Sequence, residues 1–124
     1  MKEHVKNLWV EALNSGKYKQ SKNHLKTDDG YCCLGVLCDV YAKNQKKKGF
    51  SSETNLSNAY AFPDGKSDKT KVLSDRVVKW SGMNSTEGAV VDISYGKTLL
   101  SILNDDGQSF DEIVNVIERN WEQL

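Results

Sequence analysis

The eleven residues 31–41, Tyr-Cys-Cys-Leu-Gly-Val-Leu-Cys-Asp-Val-Tyr, constrain the fold more than any other part of the chain. They hold all three cysteines and a single charge, Asp39. On a helical wheel of residues 32–42, Cys33, Leu34, Val36, Leu37, Val40 and Tyr41 spread over more than half of the circumference, so a helix here must be enclosed on most sides. Gly35, Cys38, Asp39 and Ala42 form the remaining, small side. Glycine inside a helix costs about 1 kcal/mol relative to alanine. Two uses would explain it: close packing by another helix, or a ligand approaching the backbone.

The rest of the chain reads as elements packed around that helix. At 124 residues it fits one globular domain, 1–124, able to bury well over half of its unfolded surface without disulfide staples. Val5, Leu8, Trp9, Ala12 and Leu13 share one helical face, and Asn14-Ser15-Gly16 stops that helix. Residues 17–26 read as a basic loop or irregular edge. Thr27-Asp28-Asp29-Gly30 is a turn signal, which predicts a ribbon pairing residues near Leu25 with Tyr31 and Cys32. Residues 44–73 are polar and aperiodic, with Phe50, Tyr60 and Phe62 as pins to the core and a turn at Pro63-Asp64-Gly65. So long a connection is either a functional loop or contains a short hairpin. Ser74 caps a short helix bearing Leu73, Val77 and Trp80 and closed by Gly82. Residues 89–93 are the best strand candidate. Leu99, Leu100, Ile102 and Leu103 mark another short helix. Ser109 and Glu112 form a capping box for a last helix whose face is Phe110, Ile113, Val114, Ile117, Trp121 and Leu124. The expected fold is mainly α (α+β): four or five helices around a central buried helix 32–43, with one small β-hairpin or ribbon. The expected interior is Trp9, Leu13, Leu34, Leu37, Val40, Val77, Trp80, Leu99, Ile102, Leu103, Ile113 and Ile117.

The formal net charge of zero hides an asymmetry: residues 1–48 carry +5 and residues 49–124 carry −5. Such a dipole steers an anionic partner toward the N-terminal half, or simply lets the two halves attract each other. Zero net charge argues against broad duplex nucleic-acid binding, which needs a domain-wide positive surface. Lys6, Asn7, Glu11 and Asn14 interrupt any signal-peptide core, and no window approaches the ~18 apolar residues of a membrane span. With an odd number of cysteines, this places the expected location in the cytoplasm, away from membranes.

Candidate chemistry is sparse. Cys32, Cys33, Cys38 and His24 are zinc-ligand types, but adjacent helical residues point about 100° apart, so no metal site is expected. A thiol nucleophile needs a base such as His4 or His24 within reach, whereas inert burial is the commoner fate of cysteine. A near-neighbour disulfide switch is the other reading of the thiols. The paired acids Asp28-Asp29 and Asp105-Asp106 are explained by turn chemistry. There is no glycine-rich phosphate loop and no serine elbow, and no cofactor is expected. Asp39, mid-helix among apolar residues, is either at an exposed edge or paired, because an isolated buried carboxylate is expensive. The best binding candidate is the basic segment itself. Lys17, Lys19, Lys22 and Lys26 can meet phosphates, Tyr18 offers a ring, and Gln20, Asn23 and His24 supply hydrogen bonds beside Asp39. The plainer reading is a solvated lysine loop. A small anionic ligand, a nucleotide for example, suits this modest patch.

The order Tyr18-x-Gln20, Leu25, Tyr-Cys-Cys-Leu-Gly-Val-Leu-Cys-Asp (residues 31–39), Val77 and Val78 before Lys79-Trp80-Ser81-Gly82, and Leu-Asn-Asp-Asp-Gly-Gln-Ser-Phe (residues 103–110) resembles small proteins encoded by tailed bacteriophages and prophages. The resemblance spans most of the chain and transfers no active site. It implies an accessory protein made in an infected host cell, often one that blunts a host function by occupying a host protein or sequestering a nucleotide defence signal. The expectation is therefore a non-catalytic binding protein capturing a host protein or a small anionic nucleotide ligand. A small cysteine-dependent enzyme or redox protein, and a homo-oligomeric structural phage component, are the alternatives.

Overall fold

A computed structural model of the chain describes residues 1–51, 58–63 and 68–124. Helix α1 (Glu3–Asn14) buries Val5, Trp9 and Leu13, as the periodicity requires, while Leu8 and Ala12 stay half-buried at its margin. Gly16, just beyond it, takes the left-handed φ of 74° that ends a helix without steric cost. Helix α2 (Cys33–Asn44) is the centre of the fold, in contact with α1, α3 (Asp75–Ser81) and α4 (Leu100–Asp105). Cys33, Leu34, Val36, Leu37 and Cys38 are fully buried. The Trp9 indole donates to the Cys33 carbonyl at 2.9 Å, so a large ring is buried with its polar atom satisfied.

The glycine of α2 has a steric reason. A side-chain carbon added at Gly35 would stand 1.8 Å from the Leu25 carbonyl oxygen, which also accepts from Cys32 N at 3.0 Å. The close neighbour is thus the backbone of the segment before α2, where the sequence suggested a helix or a ligand. That segment forms the expected ribbon, β1 (Lys26–Thr27) paired with β2 (Gly30–Tyr31) in the register Lys26 opposite Tyr31.

Strand content goes beyond that one ribbon. A second pairs β3 (Phe62–Pro63) with β4 (Asp68–Lys69), the short hairpin open as an alternative in the long polar connection. Asp64 and Gly65 of the expected turn lie outside the described residues. Phe62 is fully buried, and Phe50 stacks edge-on against it at 5.0 Å. The third ribbon pairs β5 (Ala89–Asp92) with β6 (Gly96–Leu99), its turn fastened by Asp92. The buried Asp92 carboxylate accepts from Arg119 at 3.1 and 3.2 Å, from Asn120 at 2.6 Å and from the backbone of Ser94 and Tyr95. The guanidinium holds this carboxyl well below the usual range, ahead of the amide and backbone donors.

Ser74 caps α3 through Val77 N, and Ser109 caps α5 (Phe110–Asn120) through Glu112 N at 3.2 Å. The carboxylate of Glu112 does not complete the box: it accepts from the Tyr95 hydroxyl at 3.1 Å. A 3-10 turn (Trp121–Gln123) follows. Among the expected interior residues, Val40, Trp80 and Leu99 are half-buried, and Ile102 is 46% exposed on α4. Among the described residues, no helix is long and apolar enough to cross a membrane.

Candidate functional site

The fold divides the basic segment 17–26 among four environments. Residues 19–21 are locked to β2: Tyr31 N donates to the Lys19 carbonyl and Ser21 N to the Tyr31 carbonyl, each at 2.8 Å. Lys19 is exposed, and its backbone carbonyl is the part that the ribbon uses. Gln20 turns inward and donates to Asn104 Oδ1 at 2.9 Å and to the Gln108 carbonyl at 2.8 Å. The fully buried Asn104 in turn accepts from Cys33 N at 3.1 Å, at the first turn of α2, and donates to the Ser21 carbonyl at 2.8 Å. Lys26 sits over the rings of Tyr60, Tyr31 and Phe50, at 4.7, 5.1 and 5.9 Å, a cation–π setting that occupies its ammonium within the chain.

Lys17 and Tyr18 face a groove of about 420 Å³ between the C-terminal ends of α1 and α2, whose floor includes Leu8, Ala12 and Val40. Here Asp39 meets its partners. Its Oδ2 accepts from Lys43 Nζ at 2.8 Å, one turn on, and from the Tyr18 hydroxyl. Burial, with the Asp39 bond second, pushes the Tyr18 hydroxyl up to about 12, so it remains a donor. The same carboxylate raises the Lys43 ammonium. Asp39 is thus a paired carboxylate in a cluster closed on itself.

Lys22 and His24 border a different space. A polar cleft of about 510 Å³ is lined by Gln20, Ser21, Lys22, Asn23, His24, Thr27, Asp29 and Asn58. A second hollow, of about 280 Å³, shares Asn23 and His24 with it and is otherwise lined by Cys32, Lys71, Glu87, Ser101, Ile102 and Asp105. Two lining residues of the larger cleft carry the side-chain polar atoms that are buried without a hydrogen-bond partner among the described residues, Ser21 Oγ and His24 Nδ1. Ser21 is only 9% exposed. Native proteins satisfy nearly all such atoms, so an orphaned pair in one cleft marks a place for a bound molecule or water. Two of the three non-glycine residues with left-handed backbone among the described residues also line it, Asn23 (φ 72°) and Asn58 (φ 69°). Each is fixed by a side-chain contact: Asn23 N donates to Asp105 Oδ1 and Asn58 Oδ1 accepts from Asp28 N, both at 2.9 Å.

The cysteines do not supply chemistry to this cleft. All three are free thiols; Cys33 and Cys38 are fully buried, and burial pushes both well above the ordinary thiol value. Cys32 borders the smaller hollow, but its sulfur accepts from Gly35 N at 3.4 Å as the cap of α2, and burial raises it to about 11. A thiol so held is almost wholly protonated at neutral pH and is a poor nucleophile. Among the described residues no group of three or more His, Cys, Asp or Glu side chains is placed to hold a metal ion.

The basic segment was visible in the sequence through Lys22 and His24. Ser21, Asn58, Glu87, Ser101 and Lys71 were not, and Asp105, read as turn chemistry, also accepts from Asn23 N. Asn23 and Asn58 are of a residue type that tolerates the left-handed region, and only Asn23 lies in the basic segment.

Residues 1–121 match the family described as Domain of unknown function (DUF8296), and the chain belongs to that family. No curated protein and no solved structure matches it.

Proposed function

We propose that the chain is a non-catalytic binding protein that captures a small anionic ligand of the nucleotide class in the cleft around His24, in keeping with the accessory phage proteins its motifs resemble. The observation that carries this reading is that two residues lining one cleft, Ser21 and His24, each hold a buried polar atom, Oγ and Nδ1, with no hydrogen-bond partner among the described residues. The cleft volume falls in the range of about 300–1,000 Å³ usual for small-molecule sites. Its lining suits a ligand rich in donors and acceptors: Lys22 for a phosphate, and hydroxyl, amide and imidazole groups for a sugar or base. The protonated, enclosed thiols favour capture over conversion.

Thermal-shift measurements on the full chain against linear and cyclic nucleotides, at low and high salt, test this. A ligand at 100 times its Kd stabilises by about 2.7 kcal/mol. The expected result is a rise of several degrees for at least one nucleotide, reduced at high salt and reduced in Ser21→Ala. No rise for any nucleotide removes the ligand and leaves a protein partner.

One feature favours that second reading. The three large apolar side chains exposed among the described residues, Val91, Ile93 and Ile102, lie on or beside the β5–β6 ribbon and α4, and two of them line an apolar groove of about 430 Å³. Exposed apolar surface of this kind is where a host protein or a second copy would dock. Light scattering separates the homo-oligomer from the monomeric binder.

A further inference from the structure

The geometry points to strand β6 as a docking edge, whose partner is an extended segment of another protein that sets a carboxylate beside Lys97 and an apolar side chain beside Leu99. This rests on the protein-docking reading of the apolar face above and goes further by naming how the partner binds and which side chains it brings. The two edges of the β5–β6 ribbon differ. On β5, Val91 N donates to Gln123 Oε1 at 2.8 Å and the Val91 carbonyl accepts from Gln123 Nε2 at 3.1 Å, so a side-chain amide stands where the peptide group of a further strand would be. Val91 therefore turns its backbone polar groups away from β6. Opposite residues of an antiparallel pair alternate between bonded and non-bonded, so Lys97, which faces Val91, turns its own N–H and C=O outward as well. The bond from Leu100 N to the Gly88 carbonyl keeps the same alternation. On this outer edge no group among the described residues plays the part of Gln123: Lys97 N–H and C=O are left open.

An open edge is a template for another strand, in which main-chain bonds supply affinity and alternate side chains supply selectivity. Because Val90 and Asp92 are the buried side of β5, Ala89 and Val91 share the outward face with Lys97 and Leu99 across from them. That face is apolar around one charge. Ala89, Val91, Leu99 and Ile102 line the groove, and Ile93 at the turn is 91% exposed. Lys97 is exposed and forms no ion pair among the described residues, unlike Lys6 and Lys43. A strand added along β6 places one outward side chain beside Lys97 and the next beside Leu99, so a carboxylate followed at two positions' distance by an apolar residue complements the edge. A second copy is the poorer occupant. Pairing β6 with itself about a two-fold axis brings the two Lys97 ammonium groups opposite or diagonal to each other, and like charges across a ladder destabilise it. Lysine on an edge is a known guard against such self-pairing.

Amide hydrogen exchange and chemical-shift titration of the full chain test this with a capped peptide, Thr-Val-Thr-Glu-Thr-Val-Thr, with its counterpart carrying Lys in place of Glu, and with a form N-methylated at Glu, which cannot donate to the Lys97 carbonyl. The expected result is saturable binding of the Glu peptide, with slowed exchange at Lys97 N–H and shifts at Val91, Leu99 and Ile102. The Lys peptide should bind about fivefold more weakly, as an attractive cross-strand pair becomes a repulsive one. The N-methylated form should bind about tenfold more weakly through the lost main-chain bond. In Lys97→Glu, an exposed substitution whose fold circular dichroism confirms, the order of the Glu and Lys peptides should reverse. Shifts on the apolar face without slowed exchange at Lys97, or a peptide order unchanged in Lys97→Glu, overturn the edge assignment and leave the face as a docking surface. Self-association in light scattering that slows Lys97 exchange without peptide makes a second copy the occupant and overturns it too. No shift at Val91, Ile93, Lys97 or Ile102 with any peptide at millimolar concentration overturns both.

Discussion

Asp39 and Ser21 are polar groups drawn toward the interior on either side of the same basic segment, and the fold treats them in opposite ways. Asp39 is charged and sits mid-helix, yet it is answered by Lys43 at 2.8 Å and by the Tyr18 hydroxyl. Ser21 is small, neutral and inconspicuous, yet its hydroxyl is buried with no partner among the described residues. The residue that stands out in the sequence is the one whose needs the chain meets for itself. The residue that does not stand out is the one left open, and an open polar group in a cleft is the better sign of a ligand.

The largest effect breaks this comparison within one helix. Leu37→Asp places a carboxylate two residues before Asp39, at a fully buried position surrounded by apolar side chains. Without partners that charge costs several kcal/mol, comparable to the whole stability of a small domain, so the variant should fail to fold by circular dichroism. Native Asp39 occupies the same helix at no such cost because its partners are in place.

Next comes the closed cluster itself. Asp39→Ala removes a charge-assisted bond to a half-buried tyrosine and a pair with a largely exposed lysine, and should lower unfolding stability by about 1–2 kcal/mol in urea titration. The Tyr18 bond has a pH signature. Its folded-state value of about 12 lies above the ordinary tyrosine value near 10, so its contribution is complete below pH 10 and is lost as pH rises through 12. Tyr18→Phe should flatten that part of the stability profile relative to the parent chain, and equal slopes for the two would show that the hydroxyl is neither enclosed nor bonded in solution.

The smallest effect sharpens the contrast. Ser21→Ala removes an oxygen that has no partner among the described residues, so stability should change by no more than about 0.5 kcal/mol, or rise slightly, while ligand stabilisation falls. A large loss of stability in the absence of ligand would show that the hydroxyl has a structural partner and would remove the main support for the cleft.

How much of this was legible depends on how local each signal is. The central helix announced itself because Cys33, Leu34, Val36 and Leu37 leave no solvent face, and the ribbon before it because Asp28-Asp29-Gly30 is turn chemistry adjacent to that helix. Strand β6 escaped notice because Gly96-Lys97-Thr98-Leu99 has a single strong apolar residue and gains its place only by pairing with β5. Ile102 was assigned inward because α4 spans six residues, too few turns for periodicity to choose between faces. Glu112 has a capping-box spacing, but a tertiary partner, Tyr95, takes its carboxylate. The site was half legible for the same reason. Lys22 and His24 lie in one basic run, whereas Asn58, Glu87 and Asp105 reach it from segments far along the chain, and no local pattern signals that meeting.

The most direct test is an amide chemical-shift titration of the full chain with adenosine 5′-monophosphate, followed residue by residue. Saturable shifts are expected at Ser21, Lys22, Asn23, His24, Thr27, Asp29 and Asn58, with Tyr18, Asp39 and Lys43 unmoved. Shifts confined to the Asp39 groove, or none at millimolar ligand, would contradict it.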